Sequence, residues 1–374
     1  MELTQPSTVT AVSGSLRGRP VVVQHSAGMP GANGPLTAVE RVVNSQLAVR
    51  YDFVRMHQSR GNGALDLVML RHWVAQLRRL RPDLVHVRGL QNEGLQGVLA
   101  ARLAGCRRIL VTVHGTVRDL RYTGRPVRRG LLVHGAEPLT LRAASHVATV
   151  CEYAAGRDFL RGCRDRFVGV IPNGVPVPEN PHAGRDRSRS ALGLRPDDVV
   201  MLALARLTWE KGYGVLAEAL RRLPPQAGRP VLLVAGDGPE RDGIGAALRA
   251  AGPVEVRLLG NRSDVPDLLA AADVFVFPTL HENLSNALLE AMAYRLPVVA
   301  TAVGGNVEVL RGGGGRLVPA ADPVAFADAL APLLVDAAAR AELGGLARQT
   351  VTHRYSLDVM LGALDGVYRR ILAA

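Results

Sequence analysis

The sequence predicts an α/β protein built from two doubly wound halves, each a parallel sheet covered on both faces by helices. Three observations predict it. Short apolar, β-branched runs alternate with longer helical patterns, the alternation runs twice along the chain, and a proline-rich stretch separates the two series. The chain of 374 residues also exceeds what one hydrophobic core usually organises.

In chain order, the strands of the first half are predicted at 20–24, 47–54, 84–87, 108–113, 146–150 and 167–171. Those of the second half are predicted at 199–203, 231–235, 254–259, 274–277, 298–301 and 316–318. Their apolar residues follow one another without in-and-out alternation, the pattern of parallel strands buried on both faces. Between the series lies Pro172-Asn173-Gly174-Val175-Pro176-Val177-Pro178, then a polar stretch over 179–190. Proline forbids helix and removes ladder donors, and Asn-Gly favours a turn, so the hinge is expected there. The expected domains are 1–175 and 176–355, with a terminal segment 356–374. That segment sets Leu357, Met360, Leu361, Leu364, Val367, Tyr368, Ile371 and Leu372 at helical spacing. The spacing permits a helix that crosses back to the first domain and equally a simple terminal helix.

Hydrophobic residues make up 48% of the chain and charged ones 21%, a mix that argues against disorder. With aromatics at 4%, the cores are expected to be aliphatic. The formal charge of +12 invites a nucleic-acid reading. Against it, the basic stretch 118–129 holds only Tyr122 as a stacking platform, where single-strand binders interleave several aromatics. A solvated surface accounts for the charge, and attraction to an anionic membrane face or a phosphorylated substrate is the other option. Lys211 is the sole lysine, the other 44 of 45 basic residues being arginine, a bias that fits bacterial codon usage. A compact ammonium kept in such a chain suits a diphosphate pocket. Cys106, Cys151 and Cys163 have neither disulfide nor zinc-site spacing. Residues 1–19 lack the apolar run of a secretory signal, and no run of 18 apolar residues follows. A soluble, cytoplasmic protein in a reducing compartment is expected, at most peripheral to the inner face of a membrane.

Ligands of open parallel sheets sit beyond the carboxyl ends of the strands, where loops and helix N-termini present free backbone amides. Four segments fall at such ends. The first, Ser26-Ala27-Gly28-Met29-Pro30-Gly31-Ala32-Asn33-Gly34-Pro35, offers glycines, notably Gly31 and Gly34, that let amides approach a phosphate, or else it is an ordinary strand-to-helix turn. The second, Leu202 through Gly212, brings Arg206 and Lys211 to a strand end, where two cations can neutralise a diphosphate and its growing charge. The third is Thr279-Leu280-His281-Glu282-Asn283-Leu284-Ser285-Asn286-Ala287-Leu288-Leu289-Glu290-Ala291-Met292-Ala293. A loop carboxylate there can bind sugar hydroxyls, one in the first helical turn can hold a ribose diol, and the amides between them can bind phosphate. Read without further context, both glutamates are equally well solvent-facing or capping residues. The fourth, Thr112-Val113-His114-Gly115-Thr116, carries a histidine that by itself reads as a structural hydrogen bonder, and His25, His86 and His281 also lie near predicted strand ends.

Arg206 with Lys211, the Gly236-Asp237-Gly238-Pro239 turn, Asn261-Arg262-Ser263-Asp264, the segment from Glu282 to Glu290, and Pro297-Val298-Val299-Ala300-Thr301 with Gly304-Gly305 together resemble one large family. It is the retaining glycosyltransferases of the GT-B fold, family four. The resemblance is strongest over 199–319, and in the first half it rests on Pro172-Asn173-Gly174-Val175 and the glycine loop. It implies two Rossmann-like domains facing across a cleft, with the acceptor side in the first and the nucleotide sugar in the second. It implies transfer of a hexose-type unit from a nucleotide diphosphate donor, UDP in the first place, to an acceptor hydroxyl, with no metal and no cofactor beyond that co-substrate. By this likeness Arg206 and Lys211 bind the diphosphate, Glu282 the transferred sugar and Glu290 the ribose. Gly260, Asn261 and Arg262 lie near the base, Asn283, Leu284, Ser285 and Asn286 line the donor, and His114 touches the transferred sugar. Asn283 departs from the family, which commonly has glycine there, and this leaves the donor's identity open. With no second carboxylate evident as nucleophile, the likeness favours front-face retaining substitution, a leaving phosphate oxygen helping to deprotonate the acceptor.

Competing readings fit less well. A nicotinamide-dependent dehydrogenase needs the full glycine fingerprint, and Arg241 stands where its third glycine belongs. A phosphorylase using pyridoxal phosphate would need Lys211, whose setting suits phosphate better. A non-catalytic nucleotide-sugar-binding protein and a basic nucleic-acid binder are the alternatives to an enzyme. Nothing in the sequence identifies the acceptor or the oligomeric state.

Overall fold

A computed structural model describes residues 9–11, 18–27, 34–58, 65–119, 126–224 and 229–374. The chain divides into two compact units, Met1–Asn173 with Met360–Ala374, and Gly174–Val359. The first division therefore falls inside the Pro172 to Pro178 stretch.

In the first unit the strands are β1 (Val9–Ala11), β2 (Val21–Ala27), β3 (Asp52–Gln58), β4 (Leu84–Arg88), β5 (Ile109–Val113), β6 (His146–Thr149) and β7 (Phe167–Val170). Their order is β1-β3-β2-β4-β5-β6-β7, all parallel except β1, which runs antiparallel to β3 at the edge. Three residues are too short to carry a periodic signal, so β1 was not foreseen. The strand expected at 47–54 is corrected as well. Gln46–Val49 form a 3-10 turn capped by Ser45, whose Oγ accepts from Leu47 N at 3.2 Å, and the strand starts only at Asp52. A local cap outweighed the apolar run there. Arg19 fixes both pieces, donating from Nη1 to Ala48 O at 2.6 Å and from Nη2 to Asp52 Oδ1 at 2.9 Å.

One face of this sheet is apolar and carries Val23, Val54, Val85, Val87, Ile109, Val111 and Val113. It packs on helix Leu67–Leu80, where Met69, Leu70, Trp73 and Leu77 form the buried stripe. Asp66 starts that helix by accepting from Met69 N at 2.9 Å, and Arg78 and Arg79 suit the negative end of its dipole. Full burial of Leu77 alone contributes about 2 kcal/mol. Strand alternation turns Gln24, His86, Arg88 and Thr112 to the opposite face. The terminal helix Leu357–Ala373 supplies the partner on that face. Its Tyr368 is fully buried, and its Asp365 accepts from Arg50 Nη1 at 2.6 Å and Tyr51 OH at 2.9 Å.

The second unit holds β8 (Asp198–Leu204), β9 (Arg229–Ala235), β10 (Glu255–Gly260), β11 (Val274–Phe277), β12 (Val298–Thr301) and β13 (Gly315–Val318). All are parallel, in the order β10-β9-β8-β11-β12-β13. Counted within the unit this is 3-2-1-4-5-6, the doubly wound order whose direction reverses between its first and fourth strands, β8 and β11. In the first unit the reversal lies between β2 and β4. In doubly wound sheets the crevice that takes a ligand lies at such a switch point, at the carboxyl edge of the strands. Among the described residues no helix is long and apolar enough to cross a membrane.

Candidate active site

Both strands at the second unit's switch point run into segments singled out by sequence. After β8 the chain forms the 3-10 turn Trp209–Lys211 and enters helix Tyr213–Arg221 through Gly212. Gly212 has φ +72°, and a Cβ built there would lie 1.9 Å from Pro278 O, so only glycine admits this approach of the loops after β8 and β11. Leu280 N then donates to Glu210 O at 2.7 Å, and Thr279 Oγ1 lies 3.1 Å from the same oxygen. Sewn together this way, the two loops put Lys211 Nζ 2.9 Å from Glu282 Oε2. The two side chains are only 16% and 18% exposed, so the pair is better shielded than an ordinary surface ion pair. Arg206 Nη2 meets Glu210 Oε1 at 3.3 Å, but its side chain is 66% exposed and open to a ligand.

From the other side β12 and its loop pin the segment after β11. Thr301 Oγ1 donates to Thr279 O, and Gly305 N to Glu282 O at 3.3 Å. A Cβ at Gly305 would sit 1.7 Å from Asn283 O. Asn283, Leu284 and Ser285 are buried. Ser285 Oγ accepts from Leu288 N at 3.2 Å and caps helix Asn286–Ala293. Glu290 is therefore in the second helical turn, not the first, because the cap starts the helix at Asn286. Asn286 Oδ1 is buried and meets no hydrogen-bond donor among the described residues.

Gly260 ends β10 and accepts from Gly236 N at 2.8 Å, while Leu207 N donates to Asp237 O at 3.0 Å. The turn at 236–239 thus ties the end of β10 to the loop after β8. Asn261 is exposed. Arg262 Nε donates to Asp264 Oδ1 at 2.7 Å, a bond that holds the Asp264 carboxyl below its usual range and raises the guanidinium.

His114 and Gly34 belong to the first unit, and Gly31 lies outside the described residues. Gly34 opens helix Gly34–Val43. His114 follows the last residue of β5, and burial, then the nearby Arg88 charge, lower its pKa to about 3, so the imidazole is neutral. The chain after it is fixed by buried Glu137, which accepts from Thr116 Oγ1 at 2.5 Å, Val117 N at 2.8 Å and Arg118 Nε at 3.0 Å. Sequence reasoning missed the polar layer beside it. Arg88 Nη1 donates to Gln24 Oε1 at 2.9 Å, and Gln24 Nε2 to Tyr368 OH at 2.7 Å. His86 lies 2.7 Å from both Tyr368 OH and Thr112 Oγ1. An arginine closing an apolar strand was the available signal for this layer.

Two doubly wound units, the second offering cations and carboxylates at its switch point, define a two-domain Rossmann-like α/β protein. The family model for glycosyl transferases group 1 matches residues 198–336, and that for glycosyltransferase family 4 matches residues 19–178. The chain is 32% identical over 306 residues to the 2-deoxystreptamine N-acetyl-D-glucosaminyltransferase of Streptomyces fradiae, covering 78% of this chain and 72% of that one. It is 34% identical over 248 residues to the D-inositol 3-phosphate glycosyltransferase of Xylanimonas cellulosilytica, covering 63% of this chain and 59% of that one. Anabaena HepE, crystallised with UDP and glucose, superposes with a TM-score of 0.75 at 19% identity, over 94% of this chain and 99% of that one. The chain belongs to the group 1 glycosyltransferases, family four, and has their GT-B fold.

Proposed function

We propose that this glycosyltransferase moves a hexose-type unit from a UDP-sugar to an acceptor hydroxyl with retention of anomeric configuration, and needs no metal ion. The observation that carries the reading is the shielded Lys211–Glu282 pair, 2.9 Å apart at the second unit's switch point, with Arg206 exposed on the same loop. Support comes from HepE, whose structure contains UDP and glucose, and from the Streptomyces fradiae enzyme, an N-acetyl-D-glucosaminyltransferase.

Arg206 and Lys211 meet the diphosphate, and their charge is worth most as the bond from sugar C1 to phosphate oxygen breaks and its electron pair moves onto the diphosphate. Glu282, oriented by Lys211, accepts hydrogen bonds from sugar hydroxyls, and Glu290 holds the ribose. The acceptor oxygen bonds C1 on the face the phosphate leaves, and its proton passes to a departing phosphate oxygen. His114, neutral, is an uncharged hydrogen-bonding partner for the transferred sugar. UDP release from a panel of UDP-hexoses, with the anomeric configuration of the product read by NMR, tests the reading. Turnover unaffected by EDTA and a product of donor configuration are expected. A protein that binds UDP-sugars but releases no UDP would be a binding protein instead.

A further inference from the structure

Two arginines are buried among the described residues, and the protein treats them differently. Arg189 lies 3.3 Å from an Asp273 carboxylate oxygen and donates to the carbonyls of Ala271, Arg195 and Asp198, so its charge and its donors are both answered. Arg88 is 6% exposed, and its hydrogen-bonding partners among the described residues are neutral: the Gln24 amide oxygen at 2.9 Å and the Tyr368 phenol. The Tyr368 oxygen lies close enough to act on its charge, but burial keeps that phenol protonated, with a pKa of about 12. No Asp or Glu among the described residues pairs with Arg88. A guanidinium taken out of water with only neutral partners retains most of its desolvation cost, and its five N–H groups outnumber those two partners.

Its position gives that charge a use. Arg88 is the last residue of β4, at the carboxyl edge of the sheet beside the first unit's switch point. It is in register with Thr112 on β5, two residues before His114. A planar fork of N–H donors matches the two oxygens of a phosphate or carboxylate group. The neighbouring imidazoles of His25 and His86 are held neutral by burial, so they do not compete for an anion as counter-charges. We infer that Arg88 is the anion-recognising residue of an acceptor site in the first unit, and that the acceptor of this transferase carries a phosphate or carboxylate group. The inference rests on the reading of the first unit as the acceptor side.

The test follows thermal unfolding of the whole chain while inorganic phosphate, malonate or UDP is titrated. Phosphate and malonate are run in an Arg206→Ala, Lys211→Ala double-variant background, which removes both candidate phosphate contacts of the second unit. At saturation the better of the two anions is expected to raise Tm by about 2 °C, and the comparison distinguishes a phosphate-bearing from a carboxylate-bearing acceptor. Arg88→Gln abolishes the shift, and Tyr368→Phe, which disturbs the layer but keeps the cation, retains it. If Arg88→Gln does not fold, Arg88→Lys carries the test, with an expected affinity loss of about tenfold for the preferred anion. A shift that survives Arg88→Gln, an unchanged affinity in Arg88→Lys, or no response to either anion at tens of millimolar overturns the proposal. UDP in the parent protein reports separately: a missing UDP response alongside an intact anion response counts against the donor reading alone.

Discussion

The second unit pairs the cations at its switch point with carboxylates, whereas the first unit buries a cation at its own and surrounds it with neutral groups. Lys211 has Glu282 at 2.9 Å and Arg206 has Glu210 at 3.3 Å. Arg88 has an amide, a phenol and imidazoles that its own charge helps to keep neutral. The difference concerns when the electrostatic cost of each site is met. A paired cation is already compensated, and a ligand exchanges with its carboxylate or shares the charge. A buried unpaired cation is compensated only when an anion arrives, so it discriminates strongly between charged and neutral ligands.

The comparison breaks most visibly at Lys211. Lys211→Ala is expected to lower kcat/KM on the order of 10²–10³-fold while leaving circular dichroism unchanged. Full turnover in that variant would mean that the pair is only structural. Next in size is Gly305→Ala, which forces Asn283 O away and is expected to cost about 3 kcal/mol in urea unfolding. A cost near zero would mean that the loop after β11 moves freely.

Acid sharpens the contrast from the other unit. His25 is fully buried and its pKa is lowered from 6.5 to about 3, so between those values the unfolded chain holds a proton that the folded chain lacks. Stability is therefore complete above about pH 6.5 and is lost as pH falls, by about 2 kcal/mol at pH 5 for His25 alone. His86 acts in the same direction, and His114, partly exposed, acts less because water shares its charge. Unfolding followed at pH 7 and pH 5 in the parent and His25→Phe should show a smaller loss in the variant, whose ring still packs on Trp73. Equal losses would place the acid sensitivity elsewhere. The smallest expected effect is Tyr368→Phe, about 1 kcal/mol from the lost bonds to Gln24 and His86, measured by denaturant midpoint.

Legibility in the sequence followed the same division. The alternation of strands and helices was readable almost throughout because burial on both faces writes itself as continuous apolar runs. The exceptions were β1, too short to show a pattern, and the segment at 47–54, where Ser45 and Arg19, not hydrophobicity, decide where β3 begins. In the second unit the site segments lie in short, polar, glycine-marked loops at strand ends and stood out. In the first, Gln24, His86 and Arg88 sit inside apolar strands and look like isolated polar residues until the neighbouring strands and Tyr368 are brought against them.

By itself the sequence determined two doubly wound halves, a break near Pro172 to Pro178, and the loops that end β8 and β11. These follow from local periodicity and turn chemistry, which need no knowledge of distant partners. Only the tertiary structure decided that Lys211 meets a carboxylate 71 positions away, that Glu290 falls in a second helical turn, and that a tyrosine 282 positions beyond His86 closes the polar layer around Arg88. Strand order and helix docking set such contacts, and each contact is fixed jointly by many residues of which none carries the pairing alone.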